Sequence, residues 1–170
     1  MNYSQKRTGF TLIEILVVVA IISIMAGVIL ANVNSGRNEE AVDAATRTLV
    51  NTVRELQQYA LTGKQFSNNT DPCLYQIAWT NGASTYTTTY YYKDAGGSCS
   101  QSLGIATFTL PGGVLFSGTG SFGFTLPYGK PNFGTASVAL PVTKAGSVSG
   151  VVCAYKDGLI KNTVGGSTCP

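Results

Sequence analysis

Residues 10–31 form an apolar run of twenty-two residues whose only charged side chain is Glu14. At about 1.5 Å per residue, a helix of that length reaches about 33 Å, against a hydrocarbon core of about 30 Å. The run therefore predicts one helix able to cross a membrane, and the rest of the chain must fold as what that helix carries. Residues 1–9 ahead of it are polar and basic, with Lys6 and Arg7, whereas the far side opens Arg37-Asn38-Glu39-Glu40. The positive-inside bias then places the N-terminus in the cytoplasm and the remainder outside. An ordinary secretory signal has a shorter apolar core of about 7 to 15 residues and ends at a small-residue cleavage site. An ordinary single-pass anchor leaves Glu14 unexplained, because a carboxylate in an apolar helix costs up to about 3 kcal/mol at the bilayer centre.

The junction reads Gly9-Phe10-Thr11-Leu12-Ile13-Glu14. It resembles the processing motif of type IV prepilins and type II secretion pseudopilins, and all six positions match. The resemblance implies that a prepilin peptidase removes the leader 1–9 by cutting after Gly9, that the new N-terminal Phe10 is N-methylated, and that Glu14 pairs with the amine of a neighbouring subunit. It implies a structural subunit, not an enzyme, that assembles through its N-terminal helix into a type IV pilus or a type II secretion pseudopilus. The implied partners are other pilin or pseudopilin subunits, in a homo- or hetero-filament, the peptidase, an inner-membrane assembly platform and membrane lipid. The implied location is the cytoplasmic membrane, single-pass with a cytoplasmic N-terminus, and after assembly a periplasmic or extracellular filament. Two unit charges about 4 Å apart attract by about 4 kcal/mol at an effective dielectric near 20, which offsets the cost of burying both. A charge pair also fixes the offset between apolar helices that otherwise slide past one another. Major pilins commonly carry a kinking proline in this helix; here the first proline is Pro72, so Gly27 and Gly36 are the places where it can loosen.

Residues 32–62 read as an amphipathic helix. Val42, Ala45, Leu49, Val53, Leu56 and Ala60 recur at spacings of three and four, with Asp43, Arg47, Arg54 and Gln58 facing elsewhere. One helix running from about Phe10 to about Leu61, loosened near Ser35-Gly36 and capped by Gly63, fits this pattern; so does a separate helix after a linker. Residues 63–170 read as strands and turns: 74–79 and 85–93 around the Asn81-Gly82 turn signal, then 105–110, 114–116, 122–126, 136–140, and a last pair at 151–155 and 159–162. The layout is α+β, a long N-terminal helix with an antiparallel β-rich domain packed on its second half. Between 106 and 162, the order of Leu110-Pro111-Gly112-Gly113-Val114, a Phe-containing strand, a Gly-rich turn and a closing hairpin loosely resembles the H-type minor pseudopilins.

Composition narrows the chemistry. Histidine is absent, which removes the commonest general base and metal ligand. After residue 9 the cations and acids stand at nine against eight, so no nucleic acid partner is expected. No cofactor and no metal are expected either. Cys73, Cys99, Cys153 and Cys169 include no Cys-x-x-Cys pair and follow the apolar run, which suits two disulfides formed outside the cytoplasm. Three connectivities are open; the sequence-local one, 73 with 99 and 153 with 169, is favoured because each pair closes one strand-loop unit. Four buried free thiols are the alternative.

Weaker constellations have bland readings beside them. Trp79, Tyr86, Tyr90, Tyr91 and Tyr92 suggest an aromatic surface, but strand alternation sends half of them inward. Lys130, Lys144, Lys156 and Lys161 suggest a DNA contact, but scattered lysines ordinarily mark a solvated face. Asp71, Asp94 and Asp157 lack the dense spacing of a calcium loop. Residues 117–123 are Gly-rich without the Gly-Lys-Ser/Thr ending of a phosphate loop. The competing functional class is a minor tip subunit with the same anchor, acting as an adhesin or a DNA-binding module.

Overall fold

A computed structural model describes residues 11–67, 70–144 and 148–169, and, within the helix, every side chain outside 30–35. Gly9 and Phe10 lie outside the described residues. The chain divides into two compact units, Met1–Arg37 and Asn38–Pro170. One α-helix, α1 (Leu12–Thr62), contributes to both. Its backbone stays helical through 32–36, so that stretch is not a linker.

In the unit Asn38–Pro170, all six positions of the apolar stripe on α1 are at most 2% exposed. The helix stops at Gly63, whose φ of 65° places it in the left-handed region that glycine adopts without a Cβ penalty. The Lys64 N–H donates to the Tyr59 carbonyl at 3.2 Å, which closes the last turn.

Among the described residues nine strands follow: β1 (Pro72–Trp79), β2 (Thr85–Lys93), β3 (Cys99–Thr109), β4 (Leu115–Phe116), β5 (Gly120–Thr125), β6 (Lys130–Pro131), β7 (Ser137–Lys144), β8 (Val148–Tyr155) and β9 (Ile160–Val164). They make two antiparallel sheets, in the orders β3-β2-β1-β5-β6 and β4-β7-β8-β9. Together they form the α+β architecture with a C-terminal β-rich part.

The strands depart from the sequence reading in three instructive places. Strand β3 begins at Cys99, six residues before the expected 105, because it is the edge of its sheet and its first half is exposed on both faces. With neither face buried, that half shows no apolar alternation to read. Strand β6 falls between the expected strands 122–126 and 136–140; Pro131 is tolerated there because β6 is an edge. Strand β7 runs through Pro141 to Lys144 instead of ending at 140. The Pro141 carbonyl accepts from the Ser117 N–H at 3.0 Å, so the side on which proline lacks an N–H donor faces the short β4 edge and the ladder to β8 is intact.

The five-stranded sheet supplies most of the aromatic core, whereas the helix and the four-stranded sheet supply mainly aliphatic side chains. Tyr75, Tyr86, Tyr90, Phe116, Phe122 and Phe124 are fully buried, and Tyr75 and Tyr90 sit with ring centroids 5.5 Å apart. The helix approaches β8 closely at Gly150, where a Cβ would come within 2.7 Å of Val42 Cγ1.

Candidate functional site: the apolar helix and its lone carboxylate

The helix begins at Leu12 with Thr11 at its cap, and Thr11-Leu12-Ile13-Glu14 has the Thr-x-x-Glu spacing of a capping box. The Glu14 N–H donates to the Thr11 carbonyl at 3.1 Å and lies 3.4 Å from its hydroxyl oxygen; the Ile15 N–H donates to the same carbonyl at 3.3 Å. This sets Glu14 in the first turn, where the unsatisfied N–H groups and the helix dipole favour a negative charge. The capping role of Thr11 was not read from sequence, although the Thr-x-x-Glu spacing signals it.

From Leu12 to Ile29 the helix has a mean hydropathy of 2.9, and none of that span is buried within the structure. By length and composition it is able to cross a membrane. Leu12 is 81% exposed and even the best-covered of its large side chains, Val18 and Ile21, are 50% exposed. Contiguous apolar exposure on this scale marks a surface made for lipid or protein contact. The polar Ser23 hydroxyl is satisfied inside the helix, donating to the Val19 carbonyl at 2.8 Å. Glu14, Ile15, Val18 and Val19 line one shallow groove. Among the described residues the Glu14 carboxylate has no hydrogen-bond or ion-pair partner, so among them the segment presents one unpaired charge on a span whose other side chains, Ser23 apart, are apolar.

Residues 4–30 match the family described as the prokaryotic N-terminal methylation motif. The likeness covers that N-terminal stretch alone, where the chain carries the motif. The matched residues take in the Gly9-Phe10 junction, Glu14 and nearly all of the exposed apolar helix. No curated protein and no solved structure matches the chain.

In the unit Asn38–Pro170, Cys73 is bonded to Cys99 and Cys153 to Cys169, with Cα atoms 6.1 and 5.6 Å apart. The first bridge ties β1 to the edge strand β3 across β2; the second pins the segment after β9 to β8.

The aromatic surface read as an alternative does not assemble. Trp79, Tyr86 and Tyr90 are core residues, and Tyr91 turns outward to donate its hydroxyl to the Gln76 side chain at 2.9 Å. The three aspartates are likewise apart. Asp71 pairs with Lys93 at 2.8 Å, and Asp157 accepts from the Leu159 N–H at 3.0 Å. Asp94 organises its own loop: hydrogen bonds from the Ser100 hydroxyl at 2.6 Å and from the Ser98 and Gly96 N–H groups hold its carboxyl below the usual range. Lys130 stands 5.6 Å from the Tyr128 ring and Lys144 donates to the Gly112 carbonyl, so these two lysines are engaged locally.

Proposed function

We propose that this chain is a structural subunit, made as a membrane-inserted precursor, trimmed after Gly9, methylated on Phe10, and packed helix to helix with copies or relatives into a type IV pilus or type II secretion pseudopilus. The observation that carries this reading is the combination of an exposed apolar span, Leu12–Ile29, with a carboxylate in its first turn that has no partner among the described residues. Lipid satisfies the apolar side chains of such a rod and leaves Glu14 costly. A filament core supplies both an apolar surround and, through the amine of a trimmed neighbour, the counter-charge. Insertion with the N-terminus in the cytoplasm presents the Gly9-Phe10 bond to a peptidase on that side, and an assembly platform in the inner membrane then extracts the subunit. The disulfide-bonded body, outside the membrane, becomes the exterior of the filament.

Mass spectrometry of the chain from cells that contain the peptidase tests this. The mature protein is expected to begin at Phe10 and to carry one added methyl group on its amine. A chain that still begins at Met1 in those cells sinks the reading.

A further inference from the structure

On the side of α1 turned away from the core of the unit Asn38–Pro170, Glu40, Arg47 and Arg54 recur at intervals of seven residues. Two turns of helix bring such positions back to one stripe, with about 10.5 Å between successive members. All three are exposed, as are Ala44 and Asn51 between them. The basic end of the stripe borders a cleft of about 330 Å³ lined by Arg47, Val50, Asn51, Arg54 and Asn162 of β9. Buried Val50 forms its apolar floor. Arg47 is already engaged, its Nε 2.8 Å from Asp43 Oδ2. Among the described residues Arg54 has no hydrogen-bond or ion-pair partner, and neither does Glu40. The cleft therefore offers an uncompensated guanidinium beside two side-chain amides, a donor set suited to a carboxylate.

One helix cannot bring these two charges together, because its own rise holds Glu40 about 21 Å from Arg54. A second copy can. The unit holds eight cations and seven acids, so its overall field attracts no polyanion, and the complement must be local. The offset between copies follows from which charges then meet. With no offset, like charges face like charges. An offset of seven residues sets Glu40 against Arg47 but also Arg47 against Arg54. An offset of fourteen sets Glu40 against Arg54 alone, and no like charges meet along the stripe.

We propose that the Arg54 cleft receives Glu40 of a second copy of this chain, lying parallel and displaced by fourteen residues, about 21 Å, along the helix. The contact rests on the assembly reading above and adds to it a register determinant outside the apolar segment, in the part of the helix that the body covers on its other side. It selects a staggered neighbour and penalises an unstaggered one.

The test uses the full chain expressed with its own assembly machinery, with filaments sheared from cells and pelleted. The parent yields filaments, Glu40→Arg and Arg54→Glu each lower the yield at least about tenfold, and the chain carrying both changes recovers to within about threefold of the parent. Both residues are exposed, so the thermal unfolding of the variants should match the parent and exclude misfolding as the cause. Single variants that pellet like the parent overturn the proposal, and so does a double variant as poor as either single. If Arg54→Glu assembles normally but loses retention on a DNA duplex, the cleft serves nucleic acid and the proposal falls. A parent chain that is trimmed yet never forms filaments overturns the assembly reading as well, which distinguishes the two failures.

Discussion

The docking of α1 on β8 at Gly150 admits a quantitative test through Gly150→Ala. A Cβ there would lie 2.7 Å from Val42 Cγ1 and 2.9 Å from Thr46 Cγ2, where carbon atoms ordinarily settle at about 3.5–4.0 Å. Roughly 1 Å of separation has to be found, and neither side yields easily. Val42 is fully buried and, as a β-branched residue in a helix, is confined to one rotamer. Thr46 is fully buried too, its hydroxyl donating to the Asp43 carbonyl at 2.9 Å. Strand β8 is held on both sides, by β7 and by β9. Overpacking costs about 1–3 kcal/mol in general, and with both partners held the upper half of that range is expected. At about 3–5 °C per kcal/mol for a unit of this size, Gly150→Ala should lower Tm by roughly 6–15 °C. The assay is thermal unfolding of the full chain in detergent, followed through Trp79, the chain's single tryptophan and a core residue of the β-rich body. Gly104→Ala is the control: a Cβ there meets nothing within 4 Å, and Tm should move by less than about 2 °C. Adding Val42→Ala to Gly150→Ala removes the closest clash, so the double variant should be more stable than the two single effects predict by more than about 1 kcal/mol. A Gly150→Ala chain that melts with the parent, or strictly additive effects in the pair, would refute this account of how the helix meets the sheet.

Other expectations rest on single interactions. Glu14→Gln removes the charge from the apolar rod, so the chain should still insert in the membrane while entering filaments at least about tenfold less well, read by shearing and pelleting. Replacing both cysteines of a bridge by alanine should cost about 3.5 kcal/mol for Cys73–Cys99, which closes the longer loop, and about 3 kcal/mol for Cys153–Cys169, measured by denaturant unfolding under oxidising conditions. Thr52 and Tyr86 share a buried hydrogen bond of 2.9 Å; Thr52→Val strands the tyrosine hydroxyl and should cost about 1–3 kcal/mol, most of which the further change Tyr86→Phe recovers. Asp94 has its carboxyl depressed first by the Ser100 hydroxyl and then by the Ser98 N–H, so its stabilising contribution is present above the ordinary aspartate range near pH 4 and is lost as pH falls through the lowered value. The Tm difference between the parent and Asp94→Asn should accordingly be widest near neutral pH and close below about pH 4; a difference that grows on acidification would reverse the assignment.

What could be read in the sequence follows from which surfaces are buried. The inner stripe of α1 from Val42 to Ala60 was legible because burial on one side of a helix writes a period of 3.6 into the residues, and each of those positions is in the core. The strands β1 and β2 were legible for the same reason at a period of two: Tyr75, Ile77 and Trp79 alternate inward, as do Tyr86, Thr88 and Tyr90. Where neither face is buried the pattern fails, so Cys99 to Gly104 of β3 carries no trace of the strand it forms. The division into two sheets was not legible either. It depends on β1 pairing with β5, through partners such as Tyr75 and Phe124, a contact set by long-range packing and not by any local preference. At the N-terminus the junction motif and its carboxylate stood out because a charge in an apolar run is costly and therefore informative. Glu40 and Arg54 did not stand out, because charges on a polar stretch cost nothing and their spacing has no meaning until the buried face of the helix is known. Once Val42, Leu49 and Val53 are assigned to the core, the same periodicity that buries them requires Glu40, Arg47 and Arg54 to share the opposite side. The arrangement that packs the body onto the helix is thus also what displays a row of charges to whatever lies beside it.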